Sequence, residues 1–196
     1  MPSFDLRYIQ AAEYKYNAVT KTVTHGEKVK VGDAITAGLE VRRAEGRLYA
    51  EGSLAEFMAQ IVGGVISYGV KYITQEAQKL LYGYSDHTRQ VNGKEISSLR
   101  LTGRAEAKYV STSFFAPDVI DGTTKYTAVY VARSLFGPPS YSFQTKGENI
   151  TFNTPTTSGE FLKDHSTDEV FIEVAICDTM EDAEAWCDAV LTDEGA

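Results

Sequence analysis

The stretch Glu106–Phe136, EAKYVSTSFFAPDVIDGTTKYTAVYVARSLF, decides the fold class. Its two halves, EAKYVSTSFFAPD and TKYTAVYVARSLF, are dense in Val, Thr, Tyr and Phe, the residues that suit a pleated, half-buried surface. PDVIDG joins them as a turn, and the pair reads as a β-hairpin. Pro138-Pro139 stops the second strand.

The same texture extends in both directions. FDLRYIQAAEYKY predicts a strand at Phe4–Ile9, and HGEKVKVGDAI sets Gly26, Gly32 and Asp33 around a short Val/Lys alternation. GLEVRRAEGRLYAEGSL reads as two strands turning at Glu45-Gly46. FMAQIVGGVISYGVKYI is the longest candidate strand, with Val62, Gly64, Ile66, Tyr68, Val70 and Tyr72 on one face at period two. Gly63, Gly64 and Gly69 predict bulges or a sharp bend within it. VNGKEISSLRLTG supplies an Asn92-Gly93 turn and one strand. SFQTKGENITFNTPTTSGEF (Ser142–Phe161) supplies one or two more, with Ile150 and Phe152 on one face and Pro155 ending the run. DEVFIEVAI (Asp168–Ile176) supplies another.

Two segments switch to helical period. Thr74 is an N-cap, Glu76 suits the first turn and Gly83 sits at a C-cap position, so a short helix spans about 75–82. At the C-terminus Thr179 caps a helix over about 180–191, with Glu181 and Asp182 in its first turn. Ala183, Trp186, Cys187, Val190 and Leu191 form its apolar stripe. The expected architecture is α+β and mainly β: one domain over 1–196, a β-sandwich or barrel of nine or ten strands with two helices.

Charge is localised. Of 27 acids, seven follow Cys177, where none of the 19 bases lies, so the body is nearly neutral and the net charge of −8 belongs to the C-terminal end. No basic patch or stripe stands out, which argues against high-affinity nucleic-acid binding. MPSFDLRYIQ does not read as a signal peptide, and no apolar run reaches membrane-spanning length. Two cysteines do not make a disulfide framework and suit synthesis in a reducing cytosol.

Catalytic patterns are absent. His25, His87 and His165 are isolated, with no helical i, i+4 metal spacing, and a zinc site from sequence-local ligands is not supported. GVISYG has Val65 where a nucleophile elbow at Ser67 requires glycine. KDHSTDE reads as a polar loop, because triad residues meet through the fold rather than by adjacency. QTKGEN has its Lys before its Gly, and Asn149-Ile150-Thr151 is a chance sequon. The expectation is no enzyme, no cofactor and no metal. Long strands then raise the question of their edges. Asn149–Thr157 has only Pro155 as a guard against edge pairing, and Ile61–Ile73 has one Lys. A closed ring of subunits and a monomeric sandwich with covered edges both answer it.

The run KYTAVYVARSLFGPPSYSFQTKGENITFNTPTTSGEF (Lys125–Phe161) resembles the corresponding part of the major tail proteins, or tail tube proteins, of long non-contractile-tailed bacteriophages of Gram-positive hosts. The marker is Thr145-Lys146-Gly147-Glu148, then Ile150, Phe152, Thr154 and Pro155. RLYAEGSLAEF, the long strand running into TQEAQKLLYG, and EDAEAWCDAVL are similar to other parts of that family, so the resemblance covers Arg47–Leu191. Cys187 departs from it, standing where a larger apolar residue is expected.

The resemblance implies a virion structural protein made in the host bacterial cytoplasm. Its subunits form stacked homohexameric rings whose inner wall is a β-barrel shared by six chains. Partners implied are further copies of itself, the tape measure protein, and the tail terminator and distal tail proteins. DNA passes through the lumen without specific binding, and no membrane is involved. The residues carried over for self-association are Thr145, Lys146, Gly147, Glu148, Ile150, Phe152, Thr154 and Pro155. Segment 1–31 and NTPTTSGEF are candidates for ordering on assembly. The alternatives are a carbohydrate- or receptor-binding β-sandwich using its many Tyr, a secretion-system tube protein, and, last, a hydrolase with a spatially assembled triad.

Overall fold

A computed structural model of the chain describes residues 5–50, 53–143, 145 and 153–192. The strands are β1 (Arg7–Asn17), β2 (Thr22–Lys30), β3 (Ala34–Ala50), β4 (Ser53–Val70), β5 (Ser85–Val91), β6 (Lys94–Arg100), β7 (Val110–Ile120), β8 (Thr123–Phe136), β9 (Thr156–Leu162) and β10 (Ile172–Cys177). The helices are α1 (Gln75–Tyr82) and α2 (Met180–Thr192). The mainly β, α+β expectation holds, and both helices stand within a residue of their predicted bounds.

The caps explain the helix bounds. Thr74 Oγ1 accepts from the Ala77 amide at 3.2 Å, and Gly83 closes α1 in the left-handed conformation at φ 73°. Thr179 Oγ1 accepts from the Asp182 amide at 3.1 Å and returns its own proton to Asp182 Oδ2 at 2.7 Å.

The strands pair in the order β2-β1-β7-β8-β9-β4-β3, every pair antiparallel. β8 is the branch point. One edge of it carries β7, while the other is shared, with Tyr126–Val131 on β10 and Arg133–Phe136 on β9. The two sheets that meet there fold over one core. Ile9, Phe114 and Val131 pack against Ile66, Tyr68 and Phe161, and α1 closes one end with Ala77 and Leu81. Full burial of each large side chain contributes about 1.5–3 kcal/mol.

α2 covers the other face of β1, β7 and β8. Leu191 packs with Ala12 and Ala132, and Ala183 and Cys187 pack with Phe115 and Ala128. Cys187 is small for a reason. Its helix lies so close to β7 that Ser113 Oγ donates to the Cys187 carbonyl at 3.1 Å.

Several strand readings are corrected. β1 begins at Arg7 and runs to Asn17 rather than spanning Phe4–Ile9. It lies between two packing layers, Ile9 and Ala11 toward the core and Ala12 toward α2, so it shows no clean alternation. Glu45-Gly46 is not a turn. β3 runs straight through it, paired to β4 as Glu45↔Ala59 and Gly46↔Met58. PDVIDG is mostly strand: β7 continues through Pro117 and Asp118, and the turn is only Asp121-Gly122, both at positive φ. The Asn92-Gly93 turn and the single strand after it stand as read, that strand being β6, paired with β5.

The glycines of β4 behave as expected. Gly63 has φ 137° and sits at a bulge, where the register passes from Arg42↔Gly63 to Arg43↔Ile61. A Cβ on Gly64 would collide with the Glu40 carbonyl oxygen and the Phe161 ring.

Candidate assembly surface

The histidines do not build a reaction centre. His25 Nε2 lies 2.9 Å from Ser111 Oγ and 3.2 Å from Tyr130 Oη. Ser111 is wholly buried and donates to the Ala132 carbonyl at 2.5 Å, so its proton is committed and no substrate reaches it. His165 packs against Tyr16, with ring centroids 4.6 Å apart and planes tilted by 33°, and lies against Arg133. His87 bonds Arg100 on the exposed β5–β6 hairpin. Among the described residues no group of three or more His, Cys, Asp or Glu could hold a metal ion.

Ser67 lies within paired strand, opposite Gly38 on β3 and Ser158 on β9, not on a strand-to-helix turn. Burial pushes the Cys187 thiol up to about 12, and the Cys177 thiol is raised for the same reason, so neither is a poised nucleophile.

What the structure offers instead is surface. β9 pairs with β4 between Gly64 and Gly69, so among the described residues Ser53–Val62 is held by β3 alone. This two-stranded ribbon extends roughly 30 Å beyond the body at the usual strand rise. Both of its faces are open, and each sets large apolar side chains among charged and polar ones. Phe57 and Ile61 lie on one with Arg43, Glu45 and Arg47, the Arg47 guanidinium 5.7 Å over the Phe57 ring. Leu48 and Met58 lie on the other, Met58 75% exposed. Such ribbons are marginal in water without a third strand or a covering layer.

The outer edge of β3 has no partner strand among the described residues, and β10, bonded to β8 on one side, has an open edge too. Beside that second edge Val174 and Ile176 are exposed, on the side of the sheet that faces the sandwich interior. Among the described residues no helix is long and apolar enough to cross a membrane.

The residues carried over from the resemblance are placed unevenly. Thr145 and Thr154 are exposed. Pro155 is buried, and its carbonyl accepts from the Val70 amide at 3.1 Å immediately before β9; the strand expected to end at it lies outside the described residues. Lys146, Gly147, Glu148, Ile150 and Phe152 lie outside the described residues. The open edge expected at Asn149–Thr157 is corrected at its C-terminal end, because β9 has β4 on one side and β8 on the other. Among the described residues the free edges of this sheet belong to β2, β3 and β10. No signal in the sequence separates an interior strand from an edge strand here, since strand order is set by long-range pairing.

No model of a known protein family matches the chain, and no curated protein matches it.

Proposed function

We propose that this chain is a self-assembling structural subunit of tail-tube type, which forms stacked rings around a lumen within a virion. The projecting β3–β4 ribbon carries the reading. It exposes apolar side chains on both faces and leaves one long edge unpaired among the described residues, features that a neighbouring copy would cover. The nearly neutral body suits a conduit through which DNA slides without being held, since a cationic lining would grip phosphates. α2 covers one face of the sandwich with its apolar stripe and is not the lining of a lumen.

Negative-stain electron microscopy of the purified chain after concentration tests this. Six-fold rings or tubes are expected. A chain that stays monomeric at every concentration sinks the proposal. One observation favours a glycan-binding module instead: Tyr141 and Phe143 stack at 6.1 Å, with Phe143 89% exposed. Monomers retained on a glycan array through that pair would establish the alternative.

A further inference from the structure

The β5–β6 hairpin separates its charges by face. Paired residues on antiparallel strands project to the same side, so Ser85↔Arg100, His87↔Ser98, Arg89↔Ile96 and Val91↔Lys94 define one face. That face holds Arg89, Lys94, Arg100 and His87, around an exposed apolar pair, Val91 and Ile96, and it holds no carboxylate. Asp86 and Glu95 both fall on the opposite face. Lys79 of α1 bonds Asp86 at 2.8 Å, so the acidic face has one of its charges satisfied from the body, while Arg89, Lys94 and Arg100 are all exposed.

Most cations elsewhere are already paired. Lys15 and Lys108 take Glu13, Lys28 takes Asp188, Arg42 takes Glu160 and Lys125 takes Asp178. Arg89, Lys94 and Arg100 form no ion pair among the described residues. The complementary surplus lies on α2. No Lys or Arg occurs from Asp178 to Thr192, and Glu181 and Glu184 make no ion pair among the described residues. α2 covers the outer face of β1, β7 and β8, whereas the hairpin is tied to α1, which closes the core on the inner side.

We propose that the cationic face of the β5–β6 hairpin docks on the acidic face of α2 in a neighbouring copy of this chain. This rests on the self-assembly reading and adds a contact to it. Because the two surfaces differ, the contact is head-to-tail, the kind that closes a ring or continues a stack. DNA is the weaker occupant. Three permanent cations would give a salt slope of only about 2.7, the chain as a whole is acidic, and phosphates offer nothing to Val91 and Ile96.

The test compares critical assembly concentrations by sedimentation, using the full chain. Arg89→Glu, Lys94→Glu and Arg100→Glu together should raise the critical concentration at least about ten-fold through like-charge repulsion. Raising NaCl should also raise it for the wild type. Glu181→Lys with Glu184→Lys should be impaired alone, and should restore assembly when mixed with the hairpin variant. Arg89→Gln with Lys94→Gln gives a smaller increase and guards against misfolding of the reversal variant, as does an unchanged thermal midpoint.

Wild-type assembly with an unaltered hairpin variant overturns this contact and leaves the tail-tube reading standing. Failure of the wild type to associate at all overturns both. Loss of duplex DNA retention in the hairpin variant, with assembly unchanged, assigns the face to nucleic acid and overturns the contact.

Discussion

The Tyr68 hydroxyl donates to Thr112 Oγ1 at 2.9 Å, a hydrogen bond that runs from one sheet to the other with both residues fully buried. It fixes β4 against β7 at the centre of the sandwich, where Tyr68 also meets Phe114 edge-on at 5.8 Å. Tyr68→Phe keeps the ring contacts but leaves the Thr112 hydroxyl unpaired. A loss of about 1–2 kcal/mol is expected, read as a lower urea midpoint with an unchanged slope.

Gly64→Ala forces a methyl group into the Glu40 carbonyl and the Phe161 ring. Overpacking of this kind costs about 1–3 kcal/mol, and displacing Phe161 loosens the joint between β4 and β9. Gly46→Ala is the control, because nothing lies within 4 Å of its new Cβ. Thermal melts of the two variants should differ clearly; equal melting temperatures would remove the close-approach explanation.

Alkaline pH should weaken α2 before the rest of the body. Burial, joined by a 3.0 Å hydrogen bond to Asp188, pushes Tyr8 from an ordinary value of 10.0 up to about 12. Burial pushes Cys187 from 9.0 up to about 12. Both groups are neutral when protonated, and the folded chain holds those protons more tightly than the unfolded one. Their stabilising contribution is therefore complete below pH 9 and is lost as pH rises from there to about 12. Trp186 sits beside these residues, so its fluorescence during urea titrations reports the change. Cys187→Ala should flatten the lower part of that window and Tyr8→Phe the upper part.

The two thiols should differ in accessibility. Cys187 is fully buried under α2, whereas Cys177 at the end of β10 is partly exposed. Iodoacetamide at neutral pH should label Cys177 slowly and Cys187 only after unfolding. Mass spectrometry of the native protein checks the order; equal labelling would mean that α2 is not seated on β7.

Phe57→Glu with Met58→Lys places a charge on each face of the projecting ribbon without touching the core, the new carboxylate standing opposite Arg47. Thermal stability should stay within about 0.5 kcal/mol of wild type, as for surface substitutions away from packing, while ring or tube formation is lost. Intact tubes from this variant would remove the ribbon from the assembly surface.

Much of the fold was legible because its signals are local. Thr74, Gly83 and Thr179 act on backbone groups within a few residues of themselves, so both helices could be placed from sequence. Asn92-Gly93 and Asp121-Gly122 mark turns for the same reason, both Asn92 and Asp121 lying at positive φ. Glu45-Gly46 carried a similar turn signal and was misread. There the long register with β4 holds the glycine in extended strand. β1 was cut short because burial on both faces erases the alternation that marks a strand.

By itself, then, the sequence determined the class of the fold, its helices and caps, the apolar stripe of α2 and the absence of a local catalytic motif. Tertiary structure alone decided which strands are edges, how far the β3–β4 ribbon projects, and which residues share a face. The β5–β6 hairpin shows why. Read along the chain, its two acids and three bases interleave and nearly cancel. Pairing at a side-chain period of two sends Arg89, Lys94 and Arg100 to one side and Asp86 and Glu95 to the other. The Asn92-Gly93 turn sets that register locally, but where the hairpin lies against α1, and how its charges sit relative to those of α2, depends on long-range packing and becomes visible only in the folded chain.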